Sequence, residues 1–113
     1  MPVGRLRNSC ISIVQESYRY SCTGMQWLEA WKVNDWNTVR VRCVGKYPVI
    51  TTWVNGLKVC KFDGESFENE KYDRQSVADS LGLEGSVAVQ VHGGTGWPNG
   101  AKCRWKNIKI RRL

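Results

Sequence analysis

The sequence holds one imidazole, His92, two residues after the amide Gln90, in a run where Val87, Val89 and Val91 alternate with Ala88, Gln90 and His92. Strand periodicity puts Gln90 and His92 on the face opposite the valines. An imidazole there can act as acid, base or metal ligand near neutral pH, and a neighbouring amide can orient a hydroxyl through paired donor and acceptor. The plainer alternative for both is a solvated strand face. Trp53 shares strand phase with Thr51 and, across the Asn55-Gly56 turn, with Lys58, so it reads either as a platform for a flat ligand such as a sugar ring or as core. Trp97 sits inside GGTGWPNG, where a large aromatic is less easily explained by packing, and is a second candidate for ligand contact.

The carboxylates are less well placed. Asp63, Glu65, Glu68, Glu70, Asp73 and Glu84 cluster in or beside one connection. Ordinary glycosidases need two carboxyl groups about 5 Å apart, or farther when inverting, and no pair here stands in strand phase. Asp63, which ends a strand, is the best single candidate; Asp73 reads better as a helix cap. One His with scattered carboxylates argues against a transition-metal site. The expected cofactor set is empty, with calcium held by loop carboxylates and carbonyls left open. GGTGWPNG lacks the spacing and the Lys-Ser/Thr of a phosphate-cradling loop.

These groups must be positioned by β-structure. Asn55-Gly56 between two alternating runs predicts a type I′ hairpin, since both central residues need positive φ. A regular two-residue register pairs Val54 with Leu57, Trp53 with Lys58, Thr52 with Val59 and Thr51 with Cys60. One face would then carry Ile50, Thr52, Val54, Leu57 and Val59, the other Val49, Thr51, Trp53, Cys60 and Phe62. Strands are expected near 10–15, 17–22, 37–44, 48–54, 57–63, 87–91 and 101–111, the last with a bulge near Lys106 and Asn107, where the apolar phase shifts. Residues 23–34 read as a loop with a helical turn. A helix over 74–81 is expected between Asp73 and Gly82.

The chain has 113 residues, 42% hydrophobic and 24% charged, which suits one small globular domain, 1–113. No apolar run is long enough for a membrane span, and the first twenty residues lack the apolar segment of a secretory signal. The net charge of +7 raises binding to polyanions. Yet Lys102, Arg104 and Lys106 alternate with Cys103 and Trp105 as on a solvated strand face, and no nucleic-acid motif accompanies them, so nucleic acid is not expected as a partner. Five cysteines at irregular spacing form no metal or redox motif. Free buried thiols are expected, with a bridge from Cys10 or Cys22 left open.

The blocks DWNTVRVRC, TTWVNGLKVCKFDG, GSVAVQVHGG and CRWKNIKIRRL, in that order, resemble the C-terminal part of the 3-keto-disaccharide hydrolase family. The resemblance spans residues 35–113; residues 1–34 match nothing recognisable in that family. It implies an all-β fold, a concanavalin A-like antiparallel β-sandwich or jelly roll, here truncated, with carbohydrate handled on a concave sheet face. It also implies an exported protein. GSVAVQVHG matches the family block that carries Gln90 and His92. The resulting expectation is a glycoside-hydrolase-like protein with His92 and Asp63 as catalytic groups and Gln90, Trp53, Trp97, Lys58 and Thr51 as substrate-binding groups. Alternatives are a noncatalytic carbohydrate-binding module and a basic polyanion binder. A half-sandwich would leave a sheet face and several edges open, so a homodimer or larger homo-oligomer is expected to supply the missing layer. Trp53 and His92 are expected to project onto a shared surface.

Overall fold

The computed structural model describes residues 19–90, 96 and 98–113. Its centre is an antiparallel sheet of β1 (Arg19–Tyr20), β2 (Val39–Val44), β3 (Val49–Val54) and β4 (Leu57–Asp63), in the spatial order β1-β4-β3-β2. Two short helices flank it, α1 (Gly24–Ala30) and α2 (Arg74–Leu81). The β3–β4 turn is as expected, with φ of 49° at Asn55 and 83° at Gly56. The expected strand at 10–15 lies outside the described residues.

The hairpin register departs from the regular one. Val54 pairs with Leu57 and Trp53 with Lys58, but Thr52 then pairs with Cys60, Thr51 with Lys61, Ile50 with Phe62 and Val49 with Asp63. Val59 is the extra residue of a β-bulge, so every later residue of β4 changes face relative to the regular hairpin. Cys60 and Phe62 therefore lie with Ile50, Thr52 and Val54, not with Trp53. Burial explains the outcome: Phe62 is 6% exposed and Val54 5%, and a regular register would place Phe62 on the face that carries Trp53 and the Lys58 ammonium. Around Phe62, Phe67 and Tyr72 complete a three-ring cluster with centroids 5.3–6.0 Å apart. Gly64 is buried beside it, where an added Cβ would come within 2.7 Å of the Pro48 carbonyl oxygen.

Local chemistry sets both helices. Asp73 accepts from the Ser76 amide at 3.0 Å and Gly82, with φ 71°, ends α2, as expected. Where a loop with a helical turn was expected, Thr23 and Gln26 form a reciprocal capping box and start α1. Asn55 fastens α1 to the sheet: its Nδ2 donates to Ala30 O and Asn37 Oδ1, each at 2.7 Å, and its Oδ1 accepts from the Thr38 amide at 2.9 Å.

The segments 87–90 and 101–113 are not strands, although their sequences alternate. Val87, Val89, Trp105, Ile108 and Ile110 are exposed, and alternation yields a strand only when a neighbour supplies the ladder. Where a bulge near Lys106 was expected, Asn107 takes φ 55°, and Lys106 Nζ lies 4.1 Å from the Trp36 ring centre. The regular structure among the described residues is thus mostly β, in one sheet; a second layer is not among them. Cys22, Cys43, Cys60 and Cys103 are free thiols, but Cys43 and Cys103 are exposed where burial was expected. Among the described residues no helix is long and apolar enough to cross a membrane.

Candidate functional site

The register divides the sheet into two chemically different faces. Directly opposed residues share a face in an antiparallel ladder, so one side carries Val39, Val41, Cys43, Ile50, Thr52, Val54, Cys60 and Phe62. The other carries two cross-strand rows: Arg40, Trp53 and Lys58, and beside it Arg42, Thr51 and Lys61. The bulge at Val59 assembles the second row. Without it, Cys60 would stand beside Thr51, and Lys61 would point to the apolar side.

Trp53 is half-buried at the middle of the first row, with the Arg40 guanidinium carbon 4.1 Å from its ring centre. That contact is a cation–π interaction worth about 0.5–1 kcal/mol at an exposed site. Thr51 is only 8% exposed, whereas Arg40, Arg42, Lys58 and Lys61 are all exposed. Among the described residues the one ion pair is Arg74 with Glu68, elsewhere in the fold. Among the described residues these four cations therefore make no close ion pair, although Lys61 helps to lower the pKa of Asp63 at the end of the face.

Of the residues singled out from sequence, Thr51, Trp53 and Lys58 are together on this face, and Asp63 stands at its end, opposite Val49. Asp63 is committed to a turn: Oδ1 accepts from the Glu65 amide at 3.1 Å and the Ser66 amide at 3.2 Å. Hydrogen bonds from Ser66, side chain first and then backbone, hold its carboxyl below the ordinary carboxylate range. Such a group stays ionised near neutrality, opposite to what a general acid requires. Gln90 is exposed in a segment without regular structure. His92 and Trp97 lie outside the described residues, so their relation to Trp53 does not enter the geometry. On the other face, burial raises the Cys60 thiol pKa. Among the described residues no group of three or more His, Cys, Asp or Glu side chains could hold a metal ion.

Arg40, Arg42 and Lys61 were not singled out from sequence. In sequence the arginines alternate with Val39, Val41 and Cys43, the pattern of an ordinary solvated strand face, and Lys61 joins them only through the bulge. The signal for Arg40 was its position in β2, which a hairpin between β2 and β3 places across from Trp53.

Residues 7–111 match the model of the 3-keto-alpha-glucoside-1,2-lyase-like domain family. The chain belongs to this family. The match extends N-terminal of Asp35 into the segment that had shown no resemblance, so 3-keto-alpha-glucoside-1,2-lyase-like sequence occupies nearly the whole chain. No curated protein and no solved structure matches it.

Proposed function

We propose that this chain is a carbohydrate-active protein that takes a 3-keto-glycoside on the sheet face of Arg40, Thr51, Trp53 and Lys58. The observation that carries the reading is that face itself: an aromatic ring flanked by the exposed cationic donors Arg40 and Lys58, with the buried Thr51 beside it, in a 3-keto-alpha-glucoside-1,2-lyase-like chain. The opposite face is mainly apolar and carries no cation on β2, β3 or β4; its polar groups there are the Thr52 hydroxyl and the Cys43 and Cys60 thiols.

The chemistry in the family's name also suits a sequence in which no two carboxylates stand in strand phase. A carbonyl at C3 acidifies the hydrogen on C2. A base removes that proton, the C1–C2 double bond forms, and the C1–O bond breaks, so the aglycone leaves with a proton and no water is consumed. One base that can also return a proton is enough, whereas a hydrolase of the ordinary kind needs two carboxyl groups. His92, the sole imidazole, is the group this reading assigns to the proton, with Gln90 beside it in sequence. Asp63, tied into its turn, is not assigned a catalytic part. Trp97 is kept as a ligand contact.

The test is aglycone release from an aryl 3-keto-α-glucoside and from its parent α-glucoside. Release from the keto sugar alone, abolished in His92→Ala while binding persists, supports the reading. Binding of both sugars that weakens in Trp53→Ala, with no release from either, would instead make the chain a carbohydrate-binding module. The absence of both binding and release overturns the proposal. A homo-oligomer remains part of it, because Val39 and Val41 are 45% and 59% exposed on the apolar face; sedimentation at micromolar concentration tests it, and a monomer would remove it.

A further inference from the structure

We infer that the saccharide taken on this face carries a carboxylate, as a uronic acid does, and that Arg40 and Arg42 read it. The inference rests on the carbohydrate reading above and narrows its substrate class.

Three observations point there. First, the outermost group of the central row is a guanidinium rather than an indole. With Arg40 over the Trp53 ring at 4.1 Å, a neutral sugar would have to displace the cation before stacking on that ring face. A carboxylate instead meets the guanidinium where it already sits. A guanidinium lying against an indole can still offer N–H donors to a bidentate carboxylate. The indole holds the fork in place, so less side-chain freedom is lost on binding.

Second, the positive charge is gathered on one face by the register. Arg40 and Arg42 stand two residues apart, about 7 Å, on β2, while Lys58 and Lys61 lie two strands away, about 10 Å, on β4. Trp53 and Thr51 form the floor between them. Among the described residues none of the four makes a close ion pair, and only Lys61 acts on a neighbouring carboxylate, Asp63, through space. Asp63, the one acid at the margin of this face, has its oxygen engaged by the Glu65 and Ser66 amides. Third, the face is small. Three strands of six or seven residues give a floor of about 20 by 10 Å, which suits a short oligosaccharide better than a nucleic-acid duplex.

The test is calorimetric titration of the full chain with trigalacturonic acid and with its methyl ester, which removes the charge and adds a methyl group at each carboxyl. The expected result is at least about tenfold tighter binding of the acid at low salt, with most of that preference lost on raising ionic strength to about 0.5 M. Arg40→Gln and Arg42→Gln should each weaken the acid by about tenfold and leave the ester nearly unchanged. Arg40→Lys keeps the charge but not the fork and should recover only part of the loss. Lys71→Gln, which removes one charge from the connection before α2, should change nothing. Equal affinity for acid and ester overturns the inference and leaves the carbohydrate reading standing. Failure of both saccharides to bind overturns the inference, whereas the carbohydrate reading falls only if the 3-keto-glycoside also fails to bind. An acid preference that Lys71→Gln reduces as much as Arg40→Gln overturns it as mere net charge, and binding of single-stranded DNA without the saccharide overturns it in favour of a polyanion surface.

Discussion

Deleting Val59 should leave the sheet intact. Val59 is the unpaired residue of the bulge, and the pairs on either side, Trp53 with Lys58 and Thr52 with Cys60, would close into a regular ladder without any residue changing face. The deletion removes the 3.0 Å hydrogen bond from the Ser21 amide to the Val59 carbonyl, costing about 1 kcal/mol. It also removes a half-buried valine, costing about 1 kcal/mol more. The sum is about 2 kcal/mol, read from the midpoint of urea unfolding with an unchanged slope. If the hairpin were regular, the same deletion would carry Phe62 from one face to the other. Losing a buried Phe costs about 3–5 kcal/mol, and Lys61 would move at the same time. Loss of cooperative unfolding in the deletion would therefore refute the bulged register and, with it, the assembly of Lys58 and Lys61 on one face.

Asn55→Gly keeps the positive φ of the turn but loses three side-chain hydrogen bonds, to Ala30, Asn37 and Thr38. Chemical denaturation should show a loss of about 2–4 kcal/mol, and a change under about 0.5 kcal/mol would mean that the clasp on α1 contributes little. Gly64→Ala forces a Cβ to 2.7 Å from the Pro48 carbonyl oxygen and should cost about 1–3 kcal/mol, seen as a lower melting temperature. Burial holds the Tyr72 phenol above its ordinary value of 10.0. The unfolded chain therefore loses its proton first as pH rises, and the stability Tyr72 contributes is full below the ordinary value and declines through the folded one. Tyr72, which donates to Gly64 O at 3.0 Å, should thus make the native chain lose more stability above about pH 10 than Tyr72→Phe does; parallel pH profiles would contradict this.

What the sequence disclosed was what short-range chemistry decides. Asn55-Gly56 marks its turn because few residues accept positive φ, and Asp73 and Gly82 bound α2 because one caps amides and the other accepts the reversal. The capping box at Thr23 and Gln26 is equally a matter of local chemistry, a Thr and a Gln three residues apart. The bulge was not legible, since nothing at Val59 announces it. It follows from where Phe62 finds Phe67 and Tyr72, which is a tertiary matter. For the same reason alternation misled at 87–90 and 101–111: it states which side chains a strand would bury but cannot supply the neighbouring strand. The candidate face was half visible, as Thr51, Trp53 and Lys58. Its arginines were discounted because an exposed cation on a strand looks the same whether it meets solvent or ligand.

The most direct test is an NMR titration of the chain with a 3-keto-glycoside, following backbone and arginine side-chain resonances. Shifts concentrated at Arg40, Thr51, Trp53 and Lys58 are expected, with Val39, Val41 and Cys43 unmoved. Shifts confined to that aliphatic side, or none at saturating sugar, would show that the Trp53 face does not handle carbohydrate.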